Sequence, residues 1–145
     1  MDITLRKADA SDIEYLLKLR DITMRGYLLE AGLPANQEAY LSRIHYQFEN
    51  ARIIELTNRS VGLFKAVHLP ESHQWQLIQI QIHPDYQNLK IGRFLIKQLI
   101  DKALAAGDSV GLSVLKSNPA LRLYLRLGFR RIGESAFDYE LLLQA

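Results

Sequence analysis

Apolar residues recur along the chain with two periods, one typical of strands and one typical of helices. Ile3 and Leu5 alternate with polar neighbours, which predicts a short first strand. Ser11 and Glu14 have the spacing of a helix capping box, and the apolar residues that follow share one helical face. We therefore expect a first helix that begins near residue 11 and ends before a break at residues 26–34.

One charged residue interrupts the apolar face of this first helix. Arg20 lies in line with Ile13, Leu16 and Met24. Its side chain either ends the buried face or points into a cleft. We favour an edge residue whose guanidinium reaches water, since long cationic side chains commonly bury their stems and keep their charge in solvent.

Beyond the break, the pattern predicts a second helix followed mostly by strands. Asn36 is the expected cap of this helix, and Leu41, Ile44 and Phe48 share one of its faces. The later elements are strands at 51–57 and 61–68 with a hairpin turn at 58–60, a strand at 74–82, a helix at 91–106 stopped by Gly107, a strand at 110–114, a short helix opened by Asn118-Pro119 and closed by Gly128, and strands at 130–133 and 137–143. This order predicts a mixed α/β fold in a single domain, residues 1–145.

The composition is that of an ordinary globular domain and narrows the possible chemistry. The formal net charge is +2, and no basic stretch is interleaved with aromatic residues, so we expect no nucleic-acid partner. The absence of cysteine excludes disulfides, thiolate metal sites and a cysteine nucleophile. The four histidines and the acidic residues lack the spacing of metal ligands, so we expect no metal.

Hydropathy gives an expectation about location. The apolar runs are far shorter than the ~20 residues that a membrane helix needs. The N-terminal residues also lack the apolar stretch of a signal peptide. We therefore expect a cytoplasmic protein with no membrane partner; a homodimer is compatible with the sequence but is not encoded in any motif.

The most informative segment is the junction between the strand at 74–82 and the helix at 91–106. Pro84 ends the strand, and the first turn of the following helix presents free N–H groups and the positive end of the helix dipole. Gly92 allows the backbone to approach a ligand closely, while Lys90 and Arg93 add positive charge. These features suit a pyrophosphate. The alternative interpretation is a solvated basic surface.

A second segment makes the interpretation of this junction specific. Asn118 is followed by Tyr124 and then by Gly128-Phe129. Together with the loop Gln87-Asn88-Leu89-Lys90-Ile91-Gly92, this arrangement resembles the GCN5-related N-acetyltransferase (GNAT) superfamily, whose pyrophosphate loop has the pattern Gln/Arg-x-x-Gly-x-Gly/Ala. Lys90 stands where the family has its first Gly, and a positive φ there would strain a lysine.

The resemblance covers nearly the whole chain and implies both a fold and a cofactor. The implied fold is a mixed, mostly antiparallel sheet of six to seven strands flanked by about four helices. The implied activity is acetyl-CoA-dependent acetylation of a primary amine on a small molecule or a protein. Contacts to acetyl-CoA are then expected from Ile80, Gln81, Ile82, Gln87, Asn88, Leu89, Lys90, Ile91, Gly92, Arg93, Asn118 and Tyr124.

The resemblance also implies roles in the reaction. Tyr124 would be the general acid that protonates the departing thiolate, although a packed core tyrosine is the alternative. A main-chain N–H of Gln81 or Ile82 would polarise the thioester carbonyl. The acceptor would lie between the first two helices and the central strands, at Tyr27, Glu30, His45 and Gln79.

The general base is not evident from the sequence. Relatives place an acidic residue or a histidine where this chain has Ser113 or Gln76. Glu55, His45, Glu30 and a water chain ordered by Gln79 and Gln81 remain open alternatives. The competing function is a catalytically weak acyl-CoA-binding or regulatory domain on the same fold, which the lysine at position 90 and the missing base keep open.

Overall fold

The computed structural model describes residues 2–145, and these residues form one seven-stranded sheet and four α-helices. The strands are β1 (Ile3–Lys7), β2 (Ala51–Leu56), β3 (Arg59–Leu69), β4 (Gln74–Ile82), β5 (Ser109–Leu115), β6 (Arg130–Glu134) and β7 (Asp138–Leu143), and the helices are α1 (Ile13–Glu30), α2 (Gln37–His45), α3 (Ile91–Ala105) and α4 (Leu121–Arg126). The strand order is β1-β2-β3-β4-β5-β7-β6, and only β4 and β5 pair in parallel within these residues. The predicted mixed, mostly antiparallel α/β fold is confirmed.

Helices cover the two faces of the sheet and create two cores. Leu63 of β3 packs with Ile44 of α2 and with α1, whereas the next residue, Phe64, packs with Leu95 of α3. Successive side chains of a strand point to opposite faces, which explains why neighbours belong to different cores. The sheet therefore lies between a core that α1 and α2 cover and a core that α3 and α4 cover.

The first helix begins and ends differently from the prediction. Its capping box consists of Asp9 and Asp12, whose carboxylates accept main-chain N–H groups across a short 3-10 turn that precedes α1, so the predicted Ser11–Glu14 box is wrong. Gly26 does not break the helix, which continues to Glu30. Glycine weakens a helix by only about 1 kcal/mol, and packing of the apolar face outweighs that loss.

Two smaller predictions also need correction. The β2–β3 turn is formed by Thr57 and Asn58, which both have positive φ, so β3 begins at Arg59 rather than after residue 60. Phe48 lies in a separate 3-10 turn beyond the end of α2. The predicted cap of α2 is confirmed, because the Asn36 carboxamide oxygen accepts the Ala39 N–H at 2.9 Å.

Gly62 lies in a crowded site between central strands, and Gly26 lies in open space on a helix, so alanine substitutions at the two positions test how closely the strands approach. A Cβ at Gly62 on β3 would lie 2.2 Å from the main-chain oxygen of Gln81 on β4, whereas a Cβ at Gly26 would meet nothing within 4 Å. We expect Gly62→Ala to lower the free energy of unfolding by about 1–3 kcal/mol and Gly26→Ala to raise it by about 0.5–1 kcal/mol. Urea denaturation measures both; a neutral Gly62→Ala would contradict the close approach of β3 and β4.

Candidate active site

The parallel strands β4 and β5 separate halfway along their length. They pair from Gln74–Ser109 to Leu77–Leu112, and the described residues contain no further β4–β5 pair. Beyond this point β4 continues to Ile82 while it remains paired with β3, and β5 continues to Leu115 while it remains paired with β7. A gap therefore opens in the middle of the sheet, and each strand that borders it is supported only on its outer side.

Strand alternation determines which main-chain groups face this gap. The His83 N–H donates to the Val61 carbonyl of β3 at 2.8 Å. Main-chain groups of successive strand residues point to opposite sides, so those of Ile82 and Ile80 point toward the gap and those of Gln81 toward β3. The Ile82 carbonyl accepts the Gln87 side-chain amide at 3.0 Å. The main chain of Ile80 is thus presented to a ligand in the gap.

Helix α3 begins directly after this strand with free hydrogen-bond donors. A 3-10 turn at Pro84–Leu89 leads into Lys90, and no side chain caps the helix. The Phe94 N–H is bonded to the Lys90 carbonyl, whereas the preceding N–H groups have no partner within the helix. The first turn contains no acidic residue, and the side chains of Lys90 and Arg93 are exposed. This terminus is therefore electropositive and accessible to an anion.

Lys90 adopts the left-handed conformation, with φ of +60°. The GNAT-like loop pattern has a glycine at this position, and an L-residue in this conformation costs roughly 1–2 kcal/mol. The chain needs that conformation to turn from the 3-10 segment into α3. The loop thus has, at Lys90, a backbone conformation that favours glycine.

A cavity of about 680 Å³ extends from the gap toward α1 and α2. Tyr124 of α4 lies in its wall, and the ring packs edge-on against Phe129 with the centroids 5.9 Å apart. Burial raises the pKa of Tyr124 to about 12. Its hydroxyl therefore holds its proton at neutral pH and is a suitable donor to a strongly basic group.

Most of the unpaired buried polar atoms belong to the wall of this cavity. In residues 2–145, four buried side-chain atoms have no hydrogen-bond partner: both amide atoms of Gln79, Nε of Arg20 and the hydroxyl of Tyr15. Gln79 and Arg20 both line the cavity. Because buried polar groups in proteins are nearly always paired, these unpaired groups are typical of a site that receives a polar ligand.

A basic helix terminus beside a strand occurs in many anion-binding folds, and a family match identifies which of them this chain has. A model of the acetyltransferase (GNAT) family matches residues 16–129. The chain belongs to the GNAT family. No curated protein sequence matches this GNAT protein.

Solved structures with the same fold span the whole of this GNAT protein. The PaiA N-acetyltransferase from Thermoplasma acidophilum in complex with coenzyme A is 17% identical with a TM-score of 0.75, and the match covers 100% of both chains. An acetyltransferase from Thermus thermophilus is 18% identical with a TM-score of 0.75, covering 100% of this chain and 98% of that one. The ribosomal-protein-S18-alanine N-acetyltransferase from Escherichia coli is 20% identical with a TM-score of 0.70, covering 99% and 94%.

The Asn–Tyr–Gly-Phe motif of this GNAT protein is one structural unit. The sequence predicts that Asn118 caps a helix with Pro119 at its first position, but α4 begins at Leu121, and the Asn118 carboxamide oxygen instead accepts the Ala120 N–H at 2.9 Å in the turn before it. Gly128, at φ of +108°, ends the helix, and the Phe129 N–H donates to the Tyr124 carbonyl at 3.1 Å. The motif therefore fixes both ends of the short helix that carries the tyrosine.

Arg20 corrects the sequence interpretation most clearly. Its side chain is not an exposed edge residue, because Arg20 is only 8% exposed and lines the cavity. Burial, with a smaller contribution from the charge of Arg43, lowers the pKa of Arg20 to about 10, which leaves it cationic at neutral pH. The helical pattern placed this residue on the correct face, but it did not reveal the cavity opposite that face.

The residues expected to bind the acceptor divide into two groups. Gln79 lies in the cavity wall, together with Gln81. Tyr27, Glu30 and His45 are not among the lining residues, and Glu30 and His45 are exposed. Of the other candidate bases, Glu55 is paired with Arg6 on the neighbouring strand, with Nε and Oε2 3.4 Å apart.

Two charged residues that the sequence interpretation did not select also line the cavity. Arg43 lies in the last turn of α2, and Asp138 begins β7 opposite Leu115 of β5. Burial, and then the nearby charge of Glu140, raises the pKa of Asp138. The Glu140 carboxylate accepts the Ser113 hydroxyl at 2.6 Å, so β7 places a second acidic group beside β5.

Metal-ligand clusters and membrane-spanning helices are both absent from the part of the chain that the structure describes. No group of three or more histidine, aspartate or glutamate side chains in residues 2–145 has a metal-binding arrangement. None of the helices described is at once long and apolar enough to cross a bilayer. The candidate chemistry of the cavity therefore rests on its amide, hydroxyl, guanidinium and carboxylate groups.

Lys90 allows a direct test of backbone strain at the start of α3. We expect Lys90→Gly to raise the free energy of unfolding by about 1 kcal/mol, since glycine adopts positive φ without a steric penalty. Lys90→Ala removes the same charge but keeps the strained conformation, so it should bring no gain. Urea denaturation of both variants separates strain from charge, and equal stabilisation by both would contradict the assignment of strain.

Proposed function

We propose that this GNAT protein is an acetyl-CoA-dependent N-acetyltransferase that transfers an acetyl group to a primary amine by direct attack. The observation that carries the proposal is the gap between β4 and β5, which leads on one side to the donor-rich start of α3 and on the other to a polar cavity. A long cofactor with a diphosphate at one end and a thioester at the other would place the diphosphate at the helix start and the thioester in the cavity. The PaiA structure, which has the same fold, contains coenzyme A.

The chain's own groups fit such a cofactor at both ends. At the α3 terminus, the loop from Gln87 through Asn88 and Leu89 to Lys90 and the first-turn donors of Ile91, Gly92 and Arg93 would hold the diphosphate. In the gap, the main chain of Ile80 and Ile82 would pair with the amides of the pantetheine arm, as a neighbouring strand would. Asn118 and Tyr124 would border the thioester end, because both line the cavity.

Bound acetyl-CoA would supply an activated acyl group and a thiolate leaving group. The Ile80 N–H is the main-chain donor best placed to stabilise negative charge on the carbonyl oxygen. Tyr124 holds a proton for the departing sulfur because burial raises its pKa to about 12. Asp138 is the one carboxylate among the described residues of the cavity wall, and we assign it the proton released by the attacking amine.

A second candidate function rests on Lys90. The strained lysine at the glycine position of the loop suits a catalytically weak acyl-CoA-binding or regulatory domain on the same fold. The two functions make opposite predictions for turnover and the same prediction for cofactor binding. Thiol release from acetyl-CoA across a panel of amines, with calorimetric titration of coenzyme A in parallel, distinguishes them. Turnover supports the transferase, binding without turnover supports the second function, and failure to bind coenzyme A contradicts both.

The role of Tyr124 predicts a large kinetic effect from the loss of one oxygen atom. We expect Tyr124→Phe to lower kcat by ~10²-fold or more, since general acid catalysis contributes effects of this size, with little change in stability. Tyr139→Phe is the matched control, because Tyr139 lies on β7 against Arg131 and does not line the cavity. The raised pKa also predicts that the wild-type rate shows no loss from Tyr124 ionisation below about pH 10. An unchanged kcat in Tyr124→Phe would remove this residue from the mechanism.

The role of Asp138 predicts a loss that depends on pH. At neutral pH the amine arrives protonated, so Asp138→Asn should lower kcat/KM by ~10-fold or more. Near pH 10 much of the amine is already neutral, so the loss should become small. Asp101→Asn on the exposed side of α3 is the control. A loss of equal size at every pH would indicate that Asp138 only positions other groups.

A further inference from the structure

One side of the cavity carries two arginines that lack carboxylate partners. Arg20 of α1 is more than nine-tenths buried, and its Nε has no hydrogen-bond partner. Arg43 lies in the last turn of α2 and lines the same cavity. Within residues 2–145, neither guanidinium takes part in an ion pair.

The acidic groups nearest in sequence are engaged elsewhere. Asp21 follows Arg20 directly, but its carboxylate accepts the Tyr40 hydroxyl at 2.8 Å and is paired with Arg25 at 3.4 Å. Asp138 of β7 lines the same cavity, and the charge of Arg43 partly offsets the rise that burial causes in its pKa, but in residues 2–145 no ion pair joins Asp138 to either arginine. Burial lowers the pKa of Arg20 and the charge of Arg43 lowers it further, so the two cations repel each other, and an anion between them would relieve that repulsion.

The two guanidinium groups are held in place before any ligand arrives. The Arg20 Cζ lies 5.9 Å from the Tyr40 ring centroid, and the Arg43 Cζ lies 5.5 Å from that of Tyr46. The ammonium of Lys65, a fully buried residue of β3, donates to the carbonyls of Arg43, Ile44 and Tyr46 at 3.0, 3.1 and 2.6 Å. Lys65 therefore ties the end of α2 to the sheet and fixes the main chain that carries Arg43.

The cofactor in the proposed function does not supply the missing anion. Its diphosphate belongs at the start of α3, and the pantetheine arm that would fill the gap has no charge. The remaining source of an anion is the acceptor. Gln79, whose amide is buried and unpaired in the same wall, offers that substrate an NH2 group that donates and a carbonyl oxygen that accepts hydrogen bonds.

We propose that the acceptor amine of this protein also carries an anionic oxyacid group, a carboxylate or a phosphate, which binds between Arg20 and Arg43. The inference rests on the proposed function and adds a substrate class to it. Guanidinium groups bind both anions through paired hydrogen bonds, and such charge-assisted bonds are among the strongest in proteins. The arginines belong to α1 and α2 and Asp138 belongs to β7, so the acid group and the amino group would contact different residues of the same cavity.

The test uses pairs of amines that differ only in the acid group. The probes are L-alanine and L-alaninamide, L-phenylalanine and its amide, β-alanine and β-alaninamide, and O-phosphoethanolamine and ethanolamine. Thiol release from acetyl-CoA gives kcat/KM for each compound, corrected for the fraction of neutral amine. For the best pair, we expect kcat/KM of the acid to be about 10- to 100-fold higher than kcat/KM of its neutral partner. The first three pairs and the last distinguish a carboxylate from a phosphate.

Variants connect this preference to the arginines. Arg43→Gln should reduce the preference to within about threefold, mainly by raising KM for the acid, and Arg20→Met should do the same. Arg43 is exposed, so its substitution should leave the fold intact even if the buried Arg20 does not tolerate replacement. Arg59→Gln, an exposed arginine at the β2–β3 turn that does not line the cavity, is the matched control and should keep the full preference.

Binding without turnover gives a second readout that is independent of catalysis. Thermal shift and calorimetric titration with the same acids and amides measure the anion site directly. Acids that bind in an Arg43-dependent manner without thiol release would support the anion site and contradict the transferase. If the neutral amines are acetylated with the same kcat/KM as the acids, the result would support the transferase and overturn the anion site. The absence of both turnover and binding for every acid would overturn the anion site too.

Discussion

The structure depends on an interruption in the hydrogen bonding between its two central strands. β4 and β5 pair in parallel only through Leu77 and Leu112, yet both strands continue for several residues beyond that point. They remain extended because β3 pairs with β4 as far as Ile82 and β7 pairs with β5 as far as Leu115. The outer strands thus compensate for the bonds that the inner strands do not make with each other. The helix α3 begins at the end of β4 with an electropositive terminus, and α4 places a protonated tyrosine in the wall of the cavity at this gap.

Local instability is concentrated around the same region. Lys90 keeps a conformation that favours glycine, Gln79 buries an amide without a partner, and Arg20 buries a charge without a counterion. Each of these features lowers the stability of the folded chain. Elsewhere the cores are conventional, with leucine, isoleucine and valine packed between helices and sheet. Strain and unpaired buried polar groups that cluster in this way are typical of functional sites.

The sequence predicted those parts of the fold that depend on neighbouring residues. The bounds of β4, the stop of α3 at Gly107 and the cap at Asn36 follow from local periodicity and local hydrogen bonds, and all three are found in the structure. The persistence of α1 past Gly26 was missed because tertiary packing decides it. Arg43 and Asp138 were missed for a different reason: they meet only because α2 and β7 border the same cavity, and a single sequence does not encode that proximity in any motif.

The buried ammonium of Lys65 has a consequence for how selectivity can change in this protein. The Lys65 ammonium donates hydrogen bonds from β3 to the carbonyls at the end of α2. This part of the cavity wall is therefore attached directly to the sheet. A substitution on β3, wholly outside the cavity, would free that end of the helix and loosen discrimination among ligands. Variation at this core position, which does not line the cavity, is therefore one route by which the shape of the cavity wall can change.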